Sequence, residues 1–145
     1  MKTCLTCFNL FDPSSSLMPG SPCPISQCEG KIIEVDENIL PTIIQLNKKG
    51  YLTTASCSGH SWGGSTIIAF DPIVHPNTFS YLPRGFKFVS LGGQPKLVKI
   101  IPLGAMLDRQ RHILQTSLDL LEWSDSLPSA KQLLVYFPLT NGLQP

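Results

Sequence analysis

Along the chain the spacing of apolar positions changes several times, and each change marks an element. Residues 31–35 (Lys-Ile-Ile-Glu-Val) are short and β-branched, the signature of a strand leaving whatever precedes it. Over 38–49 the apolar side chains fall at Ile39, Leu40, Ile43, Ile44 and Leu46, a one-sided helical stripe. Asn38 suits the N-cap, with Asp36 as a rival half a turn earlier, and Pro41 stands in the first turn, where its missing N–H breaks no intrahelical bond. Lys48 and Lys49 suit the negative end of the helix dipole, and Gly50 the residue that ends it. A strand at 51–54, a loop over 55–64 and a strand at 65–70 closed by Asp71-Pro72 follow.

Beyond a loop over 74–84, residues 85–90 alternate like a half-exposed strand, Gly92-Gly93 is a hairpin signal, and 96–101 is the partner strand. Residues 106–123 predict a longer amphipathic helix. Leu107, Ile113, Leu114, Leu118 and Leu121 line one side, Arg109, Arg111, Gln115 and Glu122 another, and Pro128 stops it. The run at 131–138 is too short for its period to choose between an edge strand and a helical turn. This order predicts an α+β fold: over 31–145, a two-layer domain of a mainly antiparallel sheet with two helices.

Residues 1–30 show no such period, and four of the five cysteines stand there, at Cys4, Cys7, Cys23 and Cys28. A pair two residues apart and a pair four apart, joined by a loop over 8–22 full of Pro and Ser, let two knuckles present four thiolates to one tetrahedral ion. Zn2+ is the expected cofactor, and Gly30 lies just past the last thiol, where the backbone can pass close to sulfur. Four thiolates close the coordination sphere, so the site is read as structural, an N-terminal zinc ribbon over 1–30 with the domain boundary near Gly30. The alternative, two disulfides of a small secreted domain, fits poorly with a Met-Lys-Thr start that leads into no apolar signal region, and cysteine usage points to a reducing, cytoplasmic setting.

Composition narrows the classes further. With 42% hydrophobic and 14% charged residues the chain has the means to fold, and a formal charge of +1 with scattered Lys and Arg disfavours extended nucleic-acid contact. No apolar run approaches the roughly 18 residues of a membrane span. A homo-oligomer remains open.

The densest chemistry lies at 53–64, where Thr54, Ser56, Cys57, Ser58, Gly59, His60 and Trp62 join two strands. Gly59, Gly63 and Gly64 let consecutive N–H groups form a nest for an anion, Ser56 and Ser58 add hydroxyl donors, and Trp62 can cover a flat ring. Cys57 and His60 are the candidate catalytic pair, a thiol with a base three residues on, although a buried structural cysteine is the commoner case. Cys57, His60 and His75 are a conceivable second metal set, and His112 reads as a surface residue.

Leu46 to Tyr51 leading into Thr54-Ala55-Ser56-Cys57-Ser58-Gly59-His60, then Ile67 to Phe70 and Leu82-Pro83-Arg84-Gly85-Phe86, resembles a family of small proteins of Firmicutes and their phages that often carry an N-terminal zinc ribbon. The likeness covers roughly residues 1 to 90. A more distant one is to the wybutosine-synthesising protein 3 family of tRNA methyltransferases, whose hallmark loop matches at Ser56, Cys57, Ser58 and Gly59 but has arginine where this chain has His60 and serine where it has Ala55. The resemblance implies a small-molecule or nucleotide site at this loop. Arg84 is a candidate neighbour for an anion held there.

Three functions follow as expectations. The first is a binding protein that captures an anionic small molecule, such as a nucleotide or nucleotide-derived signal, at Ser56 to His60, as a phage sequestering protein would. The second is a nucleotide- or tRNA-modifying enzyme, weakened by the lack of a Gly-rich cofactor fingerprint and of a basic face. The third is a protein-interaction module in which the ribbon does the recognising.

Overall fold

In the computed structural model, which describes residues 1–59, 64–102, 104 and 106–130, Lys2–Cys4 (β1) is the middle strand of a small antiparallel sheet. Leu10–Phe11 (β2) pairs on one side and Ile32–Glu34 (β3) on the other, with Cys4 opposite Ile32 and Lys2 opposite Glu34. The β-branched run after Lys31 is therefore the third strand of the N-terminal unit and not a strand leaving it. Met1 and Val35 close the sheet with a reciprocal pair of 2.9 Å hydrogen bonds. Cys4, Cys23 and Ile32 form a small core of their own, with Phe11 and Leu17 packed against it.

The second sheet holds Thr53–Cys57 (β4), Ser65–Phe70 (β5), Lys87–Leu91 (β6) and Gln94–Ile100 (β7), in the antiparallel order β4-β5-β7-β6. Among the described residues two α-helices accompany it, Leu40–Lys48 (α1, entered through a 3-10 turn at Glu37–Ile39) and Met106–Ser126 (α2). Ile68 and Leu97 are directly opposed and share a fully buried cluster with Ile43 and Leu46 of α1 and Leu120 and Trp123 of α2. Both helices thus cover one face of the sheet, as the α+β reading expects. Tyr51, Phe70, Phe79, Phe88 and Trp123 add a run of ring contacts with centroids 5.2–6.1 Å apart, in the tilted and stacked geometries that aromatic quadrupoles favour.

Two expectations change. β4 runs on to Cys57, so Ala55, Ser56 and Cys57 are strand residues of a sheet edge and not part of a loop. A bulge between Thr53 and Ala55 permits this, because it absorbs the extra residue before pairing resumes at Ala69. Of the stripe expected on α2 only Ile113 is buried: Leu107, Leu114 and Leu118 are 61%, 56% and 61% exposed, whereas Arg109, Thr116, Ser117, Leu120, Trp123 and Ser124 are buried, as is Leu127 just past the helix. The polar members of that face have partners. Ser117 Oγ donates to Ile113 O, Ser124 Oγ to Leu121 O, Thr116 Oγ1 accepts from Lys99 Nζ at 2.9 Å, and Arg109 donates to Ile101 O and Pro102 O. A hydroxyl bonded back to its own helix is dry enough to bury, and a stripe drawn from apolar letters alone cannot count it. The tail at 131–138 lies outside the described residues.

Candidate functional site

The N-terminal knuckles bring Cys4, Cys7, Cys23 and Cys28 together, with every Sγ within 4.8 Å of the others. Cys4 approaches Cys28, and Cys7 approaches Cys23, each at 3.7 Å, far beyond a disulfide bond of about 2.05 Å. Each knuckle turns through one residue in the left-handed region, Phe8 at φ 60° and Gln27 at φ 63°. Phe8 N donates to Cys4 O, and Cys28 N to Ile25 O, closing the two turns. Gly30 is required by contact: a Cβ there would overlap Cys4 Sγ and Thr6 Oγ1.

The loop between the knuckles is anchored by local bonds. Asp12 Oδ1 accepts from both the N–H and the hydroxyl of Ser14, which hold its carboxyl below the ordinary carboxylate range. Lys2 Nζ ties the same loop to β1 through Ser15 O at 2.7 Å.

Cys7, Cys23 and Cys28 differ electrostatically. Asn9, whose Nδ2 donates to Cys7 Sγ at 3.2 Å and whose backbone N–H helps, lowers Cys7 to about 6. Desolvation pushes Cys23 up to about 12, with the neighbouring thiols adding to the rise. At Cys28 the Gly30 backbone N–H favours the thiolate, but burial and the Cys4 and Cys7 sulfurs outweigh it and raise the pKa. Thiolates this close repel one another, and the four sulfurs lie near enough together to hold a metal ion. Asn9 was missed in the sequence, where the only signal is an amide two residues after a thiol.

The segment at 54–59 is placed differently. Thr54 lies at the bulge and accepts from Gln94 Nε2 at 2.8 Å. Ser56 is opposite Ile68 on the core side of the sheet, and Cys57 is opposite Ile67 on the other side, both half-buried. Ser58 is buried, and its N–H and hydroxyl both donate to Asp36 Oδ2, at 2.8 and 2.9 Å. Thr66 Oγ1 donates to Ser58 O at 3.0 Å. Gly59 sits at φ 89°, and a Cβ on it would meet Ile101 Cδ1 at 2.7 Å. Ser58 and Gly59 are thus committed to the fold, with a carboxylate where the sequence suggested an anion.

Asp36, a rival helix cap on the sequence, makes no side-chain cap bond to the turn it precedes. Nothing in the sequence links it to a serine 22 positions away. His60, Ser61, Trp62 and Gly63 lie outside the described residues. Arg84 precedes β6, at the sheet edge opposite β4, and lines a cleft of about 340 Å³ with Tyr81, Leu82, Asp119, Glu122 and Trp123. It is not brought to the Ser56–Gly59 segment. His75 accepts from Asn77 N–H at 3.2 Å and caps the turn at Pro76–Thr78, and among the described residues only the four N-terminal cysteines form a group able to hold a metal.

No family model, curated protein or solved structure matches this chain. Among the described residues no helix is long and apolar enough to cross a membrane.

Proposed function

We propose that this chain is a zinc-braced binding protein whose four-cysteine centre is structural. The observation that carries the reading is the mutual approach of the four sulfurs, with edges of 3.7 Å at Cys4–Cys28 and Cys7–Cys23. A tetrahedral ion bonded to thiolates at about 2.3 Å requires sulfurs about 3.8 Å apart, and an all-thiolate tetrahedron suits zinc. Cys4, Cys7, Cys23 and Cys28 would hold it, and its chemistry would be electrostatic cross-linking, since four protein ligands leave no position for water or substrate. The reading agrees with the resemblance to zinc-ribbon proteins of Firmicutes and their phages, and it belongs to a reducing compartment. Native mass spectrometry and metal analysis of protein purified without added metal test it. One zinc per chain, lost in Cys28→Ser, is the expected result; no metal, an iron cluster, or disulfides among the four thiols in protein kept reduced overturns it.

Of the binding readings, a protein partner is favoured over a small anion. The donors expected to hold the anion at Ser58 are spent on Asp36, whose carboxylate repels a phosphate, and Arg84 belongs to the opposite sheet edge. The N-terminal unit, by contrast, leaves Leu10, Met18 and Ile25 exposed, apolar residues that a partner would cover. Nucleotide capture, or a nucleotide-modifying activity, would then depend on Ser56, Cys57, His60 and Trp62. Calorimetry of nucleotides and cyclic nucleotides against the wild type and His60→Ala separates these readings. Binding that His60→Ala abolishes restores the nucleotide site, and recovery of a methylated or cleaved ligand would make the protein an enzyme. Absence of heat with every nucleotide leaves the protein-binding reading in place.

A further inference from the structure

Helix α2 presents a second seam, opposite its buried face, that is left largely exposed among the described residues. Arg111, Leu114, Leu118, Leu121 and Asp125 recur at intervals of three and four, the spacing of a coiled-coil contact line. All five are exposed except Leu121, which is half-buried. We propose that this seam joins two copies of the chain in an antiparallel, two-fold symmetric dimer, with Leu118 on the axis.

The seam is its own complement when reversed. With Leu118 facing Leu118 of the second copy, Leu114 meets Leu121, and Arg111 at one end meets Asp125 at the other. Three leucine layers are then closed at both ends by an Arg–Asp pair. A parallel pairing would set Asp125 against Asp125 and Arg111 against Arg111, which like-charge repulsion opposes. The flanking charges agree: the second half of the helix carries only acids, Asp119, Glu122 and Asp125, whereas the first half carries Arg111 and His112 beside Asp108. Antiparallel packing also aligns the two helix dipoles favourably.

The charged ends are available for the contact. Arg111 and His112 line an open cleft of about 490 Å³ with Pro102, Gly104, Asp108 and Gln115, and Arg111 has no hydrogen bond or ion pair among the described residues. Asp125 Oδ1 accepts from Gln45 Nε2 at 2.8 Å, which orients the carboxylate and leaves its other oxygen for an arginine. A two-fold contact of this kind is isologous, so each seam residue is used twice and the assembly stops at two chains.

Sedimentation equilibrium of the full, metal-loaded chain tests the proposal. A reversible monomer–dimer equilibrium is expected. Leu118→Glu, which faces its own copy across the axis, should raise the dissociation constant by about tenfold or more, with an unchanged far-ultraviolet circular dichroism spectrum. Arg111→Asp and Asp125→Arg should each weaken the dimer, and the two together should restore it. That charge swap keeps every leucine, so it remains decisive if Leu118→Glu does not fold. A chain that stays monomeric up to its solubility limit, a dimer indifferent to Leu118→Glu, or a double swap no tighter than either single change overturns the proposal.

Discussion

Gly30 shows how a single missing side chain can hold a site together. Its backbone lies against Cys4 Sγ and Thr6 Oγ1 so closely that a methyl group would overlap both. Gly30→Ala is therefore expected to cost about 1–3 kcal/mol in overpacking, which appears as a loss of metal affinity of about 5- to 150-fold. Competition with a chromophoric chelator reads it, and an unchanged affinity would mean that the knuckle relaxes freely. Tyr51 is a second residue whose environment makes a sign-definite prediction. Its ring is buried, its hydroxyl donates to Pro128 O at 2.6 Å, and burial raises the phenol above its ordinary pKa of about 10. A raised folded pKa contributes stability that is complete below the unfolded value and is lost as pH rises through the folded one. Tyr51→Phe should thus cost about 0.5–1.5 kcal/mol at neutral pH, and the gap between the two proteins should shrink above about pH 10. Urea melts at pH 7 and at alkaline pH measure both, and a gap that widens with pH contradicts the assignment.

At the scale of elements, the sequence is legible wherever the cause is local. The thiol knuckles, α1, β5 and the Gly92-Gly93 hairpin each depend on residues a few positions apart, and each is found where the pattern puts it. Legibility fails where a distant partner decides. Ser58 reads as an exposed donor until Asp36 is seen beneath it, and β4 reads as ending before Ala55 until β5 supplies the ladder. The face of α2 is the clearest case: four leucines outvoted Thr116, Ser117 and Ser124, whose hydroxyls are satisfied by Lys99 and by the helix itself. The consequence is measurable. Leu120→Ala should destabilise by about 2–5 kcal/mol, because Leu120 is fully buried in the main core, whereas Leu114→Ala should stay within about 0.5 kcal/mol in chain dilute enough to be monomeric. Equal losses at the two positions would restore the leucine stripe as the packed face.

The whole molecule is held together by a junction at which both helices end. Lys49, expected to serve the dipole of its own helix, instead donates to Ser124 O, Asp125 O and Leu127 O at 2.8, 2.6 and 2.6 Å, and so caps the carbonyl end of α2. Lys48, its neighbour, lies over the Phe8 ring at 5.2 Å and reaches the N-terminal unit. Ala130 N returns a bond to Lys49 O at 2.7 Å, and Tyr51 holds Pro128 from the next strand entry. The end of α2 is therefore fastened to the end of α1 by charge-assisted bonds as well as by apolar contact. Lys49→Met keeps the aliphatic stem and removes only the donors, leaving three carbonyls to water. It should cost about 1.5–3 kcal/mol, the range of hydrogen bonds to a charged group. Because Lys49 and Tyr51 grip the same five-residue stretch, 124–128, their losses should not add. Once Lys49→Met has loosened residues 124–128, Tyr51→Phe has less order left to remove, and a double-mutant cycle should return a coupling of about 0.5 kcal/mol or more. Strict additivity would mean that the two side chains hold that stretch independently and that the junction is not one cooperative unit.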